Sequence, residues 1–290
     1  MNKKIYNTIN IVVISIGLII LAGIMDNMPR INIVDTRYIA IFILGLIIIQ
    51  VLKCVRIYLI LLEEKIPIRR FIKLYIKNTF ISLVLPFKTG EIFKVICIGN
   101  EISNYKVSLL SVLIDRVFDT YVLVMILVPY EILRYNALTG LTLMLLIFIS
   151  IVTFLYYIFP SFYKYANQFF ILNMNSKQSL HILEICEVMN NIYLYIKELV
   201  KGRWGVMIII SSLIWIIEYF VLNVLCKMLG VSFGIEIFRT YLNEVFLINA
   251  SGLLGIYILF NALLFALAMI SVYLGDGAKV NKKQYIKIER

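Results

Sequence analysis

The chain has 290 residues, 62% of them hydrophobic and only 16% charged, with mean hydropathy +0.93 and a formal net charge of +11. A soluble domain carries about 25% charge, so water-soluble enzyme folds are excluded. The basic residues collect at the ends of apolar runs, as membrane topology demands, which argues against a nucleic-acid surface and for attraction to anionic lipid headgroups.

At the N-terminus, Lys3 and Lys4 precede an apolar run over 9–25. No small-x-small cleavage site follows, so the run reads as an uncleaved signal anchor. Five further long apolar spans follow at about 38–61, 107–129, 137–159, 204–227 and 244–273, each near or above the ~20 residues that cross a hydrocarbon core. Loop charge orients them. Residues 61–77 hold Lys65, Arg69, Arg70, Lys73 and Lys77; residues 160–203 hold Lys164, Lys177, Lys197, Lys201 and Arg203; the basic tail, about 276–290, holds Lys279, Lys282, Lys283, Lys287 and Arg290. The alternate loops hold only Arg30, Arg37, Arg134 and Arg239. The positive-inside rule then puts both termini in the cytoplasm. The expected fold is an all-α polytopic membrane protein of about six transmembrane helices, one integral membrane domain over 1–290. Residues 160–203 form an amphipathic cytoplasmic connection, too short for a catalytic domain.

That topology requires 78–98 not to cross. The stretch "NTFISLVLPFKTGEIFKVICIG" is long enough, but Pro86 and Gly90 interrupt it. Pro86 lacks an N–H and disfavours helix at the residue before it. Each half is about eight residues, roughly 12 Å of helix, and neither spans a ~30 Å core. A re-entrant helix–break–helix hairpin fits, because broken backbone at membrane depth survives only against protein or a wet cavity. Thr89 and Gly90 make a turn or N-cap from which helix restarts near Glu91. The free N–H groups there, with Lys88 and Lys94, suit a phosphate. Glu91 either competes for the same positive field, pairs a lysine, or receives an amine of a headgroup. The bland alternative is an interfacial turn whose lysines snorkel. A second interruption, "NASGLLG" at 249–255, marks a second broken element or a kinked helix.

Span 107–129 carries Asp115, Arg116 and Asp119 near its middle. Three ionised groups cost about 9 kcal/mol on the insertion scale, against about 6 kcal/mol supplied by the apolar residues of the span. The charges therefore pair or face water. Asp115 and Asp119 share a face at i,i+4, and Arg116 reaches Asp119 at i,i+3. Glu218 is a further intramembrane carboxylate and a candidate partner for Arg116 or a lysine. Cys54, Cys97, Cys186 and Cys226 lack CxxC spacing and read as free thiols. A single histidine, His181, offers no zinc cluster, and no phosphate-binding glycine loop or catalytic triad is present. No metal or cofactor is expected.

These motifs carry a resemblance. Asn78, Pro86, Gly90-Glu91 and Lys94, followed by Asp115-Arg116-x-x-Asp119 and then Trp215-x-x-Glu218, resemble the lysylphosphatidylglycerol synthase transmembrane family, also called flippase-like, from about residue 40 to 270. Lys94 stands where that family usually has arginine, and Asp115 where it often has glutamate. The glycine-rich C-terminal motif is reduced to "SGLLG" at 251–255. In the multiple-peptide-resistance proteins of that family a membrane flippase domain is fused to an aminoacyl transferase, for which these 290 residues leave no room. The family name implies a phosphatidylglycerol lysyltransferase, but with the aminoacyl transferase domain absent no enzyme activity is expected, and the resemblance implies a bacterial plasma-membrane protein. It would translocate or present a phosphate-bearing lipid: aminoacyl-phosphatidylglycerol, a polyprenyl-phosphate sugar or a glycolipid. The expected lipid site is Asn78, Pro86, Lys88, Thr89, Gly90, Glu91, Lys94, Asp115, Arg116, Asp119 and Glu218. The expected partners are such lipids, a lipid-modifying transferase or glycosyltransferase, and further copies of the chain, without nucleic acid. The alternative is a non-transporting membrane partner that docks such a transferase.

Overall fold

The structure, a computed structural model, describes residues 34–84, 89–173, 177–247 and 255–269, with positions 12, 15, 19 and 271 in isolation. Every regular element among them is helical. The helices are α1 (Tyr38–Ile60), α2 (Ile68–Val84), α3 (Thr89–Ile102), α4 (Tyr105–Tyr135), α5 (Gly140–Asn173), α6 (Lys177–Val200), α7 (Trp204–Met228), α8 (Ile235–Leu247) and α9 (Gly255–Met269). Three of them, α1, α5 and α7, are long and apolar enough to cross a bilayer. The first expected span, 9–25, lies almost wholly outside the described residues.

The core is built on α1 against α7. Phe42, Leu46 and Ile49 of α1 and Ile214, Val221, Leu222 and Leu225 of α7 are buried together, joined by Leu123 and Leu127 of α4. Gly45 permits this closeness, because a Cβ there would collide with Val221. A second cluster joins the other end of α1 to α2, α3 and α9 through Ile57, Phe71, Phe80, Phe93, Cys97, Ala262 and Phe265. With no hydrophobic drive between helices in lipid, such small-residue contacts and buried polar bonds hold a bundle together.

Two elements differ in length from the sequence expectation. Helix α4 continues through Pro129 to Tyr135. Its start is set by Asn104, whose side chain accepts from the Val107 N–H at 3.3 Å. Helix α5 does not stop near 159 but runs through Pro160 to Asn173, and α6 returns along it. Expected span 244–273 corresponds to α8 and α9 on either side of 248–254, which lies outside the described residues.

Helices α2 and α3 pack on each other. A Cβ on Gly90 would collide with the Ser82 backbone, Lys77 lies over the Phe93 ring at 5.5 Å, and Arg70 at the start of α2 reaches Glu101 at the end of α3 at 3.9 Å. The two helices therefore run back to back, with both outer ends together. Gly90→Ala should loosen this pair, because the obstacle is backbone and cannot turn aside. The expected result is a clear fall in detergent melting temperature, whereas Gly205→Ala, with open space around it, should change little.

Candidate functional site

The charged residues of the membrane core converge from four helices. Arg56 of α1 is 1% exposed and is the centre. Its Nε donates to Asp115 Oδ1 at 2.7 Å, its Nη2 to Asp119 Oδ2 at 2.8 Å, and its Nη1 to Asp119 Oδ1 and to Ser211 Oγ of α7, the latter at 2.7 Å. Trp215 fixes the same point from α7, donating Nε1–H to the Asp119 carbonyl at 3.2 Å. A planar guanidinium with two carboxylates satisfies its donors in a way lysine cannot.

Arg116 and Asp119 are therefore not the main pair. Arg116 stands 3.9 Å from Asp119 and bonds instead to Glu91 of α3. Its side chain is half exposed, and Glu91 is about a quarter exposed. Lys94, also on α3, is buried and lies 3.8 Å from Asp115. Glu91 Oε2 is buried without a hydrogen-bond partner, and so are both polar atoms of Asn78. The Ser82–Gly90 contact puts Asn78, one turn earlier on α2, level with Lys94, one turn later on α3. Gly90 is where the two helices touch, and Thr89 opens α3. Pro86 and Lys88 lie outside the described residues.

Glu218 finds the lysine option. Lys53 of α1 donates to its Oε2 at 3.3 Å, while Tyr241 of α8 and Tyr257 of α9 donate to its Oε1 at 2.7 and 3.1 Å. One carboxylate thus ties together α1, α7 and the two helices that flank 248–254. A polar chain continues from there: Asn261 donates to the Tyr257 carbonyl, Gln50 to Asn261, and Tyr75 of α2 to Gln50.

Sequence reasoning missed Lys53, Arg56, Ser211, Tyr241 and Tyr257. The available signal was "VLKCVRI", two cations three apart inside an apolar run, hence on one helix face. With them the charges balance: four cations, Lys53, Arg56, Lys94 and Arg116, face four carboxylates, Glu91, Asp115, Asp119 and Glu218. Outside the core, Tyr195 of α6 donates to Glu64 at 2.8 Å; burial first, and that bond second, raise its pKa above the ordinary phenol value. No group of His, Cys, Asp and Glu among the described residues has the arrangement of a metal site, and none of the four cysteines is in a disulfide.

The model of the lysylphosphatidylglycerol synthase TM region matches residues 9–254. Neither the curated proteins nor the solved structures compared with the chain gave a match. The matched region contains α1 to α8 and all eight charged residues of the network: the chain belongs to the lysylphosphatidylglycerol synthase transmembrane family, as an integral membrane protein tied to lipid handling.

Proposed function

We propose that the protein translocates a phosphate-containing lipid, with the headgroup received between α2, α3 and α4. The observation that carries this reading is the open valence of that pocket. Asn78 offers an N–H₂ and a carbonyl, Glu91 a second carboxylate oxygen, and Lys94 an ammonium whose nearest carboxylate is only in long contact. A buried amide without partners costs about 1–3 kcal/mol, a cost that a visiting headgroup removes. Phosphate would take donors from Lys94, Asn78 and Arg116, and Arg116 is the exposed cation that gives it access. Aminoacyl-phosphatidylglycerol, a polyprenyl-phosphate sugar and a glycolipid all carry matching groups.

Asn78→Leu tests this directly. It should stabilise the protein by about 1–3 kcal/mol, because the unpaired groups vanish, and it should weaken binding of phospholipid to the purified protein. Stabilisation with unchanged lipid binding would remove Asn78 from the site. Lys94→Gln should weaken binding of phosphatidylglycerol without unfolding the bundle, since Asp115 keeps Arg56. Unchanged affinity for that lipid would return Lys94 to a packing role.

The α2–α3 pair is, in this reading, a re-entrant hairpin that enters and leaves from the cytoplasm. The adjacency of Arg70 and Glu101 supports it. Cysteines at the exposed positions Ile68 and Glu101 should both react with an impermeant maleimide from the cytoplasmic side. Reaction from opposite sides would replace the hairpin by a crossing.

The sealed Arg56 cluster favours a second reading, a non-transporting partner of a lipid-modifying transferase, since a fully paired guanidinium locks helices. Reconstituted vesicles separate the two: a scaffold leaves labelled lipid in its original leaflet.

A further inference from the structure

Of the four carboxylates in the network, Glu218 is held unlike the other three. Asp115 and Asp119 meet the guanidinium of Arg56, and Glu91 meets that of Arg116. Glu218 meets a lysine. Its side chain is 6% exposed, and its two oxygens have separate partners. Oε1 accepts from both tyrosines, Tyr241 at 2.7 Å and Tyr257 at 3.1 Å. Oε2 accepts from Lys53 at 3.3 Å, its sole bond among the described residues.

This division allows a second state. The carbonyl oxygen of a neutral carboxylic acid still accepts hydrogen bonds. A proton on Oε2 therefore keeps both tyrosine bonds and releases Lys53 alone. The Arg56 fork, spread over both oxygens of Asp119, leaves no such atom there. The groups facing Glu218 fit this state. Helix α1 supplies Lys53, α8 and α9 supply the two tyrosines, and α4 presents Asp119, which Arg56 already holds.

Lys53 can also leave. Its side chain is 29% exposed, and Glu218 takes one of its three N–H donors. It borders the proposed lipid pocket: Lys53 lies one turn from Gln50, Gln50 accepts from Tyr75 of α2 at 3.1 Å, and Asn78 lies one turn beyond Tyr75.

We propose that Glu218 is a proton-binding site and that one proton crosses with each anionic lipid. The inference rests on the translocation reading above. The step balances. The lipid phosphate takes the ammonium of Lys53, the Lys53–Glu218 bond breaks, and a proton from water bonds to Oε2. When the phosphate departs, the proton leaves and Lys53 returns. The network is neutral, with four cations and four carboxylates, and stays neutral only if the anion brings a proton. Without it, Glu218 would be a buried charge deprived of its cation, a strongly disfavoured state.

The test uses vesicles holding the protein and fluorescent phosphatidylglycerol, evenly divided between leaflets, beside protein-free vesicles. With the membrane potential held at zero, a gradient of one pH unit should drive the label to about a tenfold excess in the leaflet on the alkaline side. A potential alone should leave it even, because proton and anion together carry no net charge. Glu218→Gln keeps an acceptor for the tyrosines but cannot take the proton, so the label should stay even under the same gradient. Native vesicles that exchange label from an asymmetric start, yet stay even under the gradient, would overturn the coupling and spare translocation. No exchange at all would overturn the translocation reading and the coupling with it. Accumulation that follows the potential, or persists in Glu218→Gln, would assign the driving ion elsewhere and overturn the proposal. The native arms decide the matter if the variant fails to fold.

Discussion

Arg56→Met should cost the protein about 3–5 kcal/mol of stability, the penalty of leaving buried carboxylates without their cation. Arg56 is 1% exposed and serves Asp115, Asp119 and Ser211 at once. Methionine fills much of the volume but supplies no donor. Lys94, 3.8 Å from Asp115, covers only one of the two carboxylates. The triple variant Arg56→Met with Asp115→Asn and Asp119→Asn should recover most of the loss, since what is expensive is a partner left charged and alone. Arg116→Met should cost much less, because that side chain is half exposed and such a pair is worth little to stability. The measurement is the melting temperature in detergent of the four proteins side by side. Equal losses for Arg56→Met and Arg116→Met would show that the network does not divide into a sealed lock and an open pair.

What the sequence made legible follows from local spacing. Pro86 and Gly90 pointed to an interruption; Pro86 lies outside the described residues, while Gly90 lies inside α3, where it lets that helix meet α2. Asp115, Arg116 and Asp119 together exceed what one helix supports, and that excess correctly demanded partners. It did not locate them, because the partners are distant in the chain: Arg56 is 59 residues from Asp115, and Lys53 is 165 from Glu218. Intrahelical i,i+3 spacing made Arg116–Asp119 look like a pair, but a guanidinium arriving from α1 presents its fork to Asp119 and leaves Arg116 for Glu91. Lys53 and Arg56 were hidden by position. They sit near the end of a span, where long cations normally snorkel to the interface, and nothing local separates that from burial against α4 and α7. Tyr241 and Tyr257 were hidden by residue type, since tyrosines at membrane depth read as belt residues until a carboxylate is found between them.

Exchanging the open pair, as Glu91→Arg with Arg116→Glu, should leave the protein folded and, on the proposed reading, reduce lipid translocation about 10–100-fold. The attraction between α3 and α4 survives reversal, and both side chains are partly exposed. The chemistry does not survive. Arg116 sits on the same helix as Asp115 and Asp119, on the exposed side of a network that is otherwise closed by Arg56. On the proposed reading, a phosphate that draws Arg116 away from Glu91 forms one ion pair as it breaks another, and leaves Glu91, about a quarter exposed, to water or to an amine of the headgroup. With the arginine moved to α3, the α4 side offers an arriving phosphate a new carboxylate next to Asp119, and repels it. A charge-assisted bond is worth about 1.5–3 kcal/mol, which is the 10–100-fold expected. The readout is the initial rate of leaflet exchange of a fluorescent phospholipid in vesicles, alongside the melting temperature. Native translocation by a stable exchange variant would confine Glu91 and Arg116 to holding α3 on α4. Loss of both folding and translocation would mean that the pair belongs to the lock, and the single change Arg116→Gln, which leaves Glu91 exposed to solvent, would then have to be as destabilising as Arg56→Met.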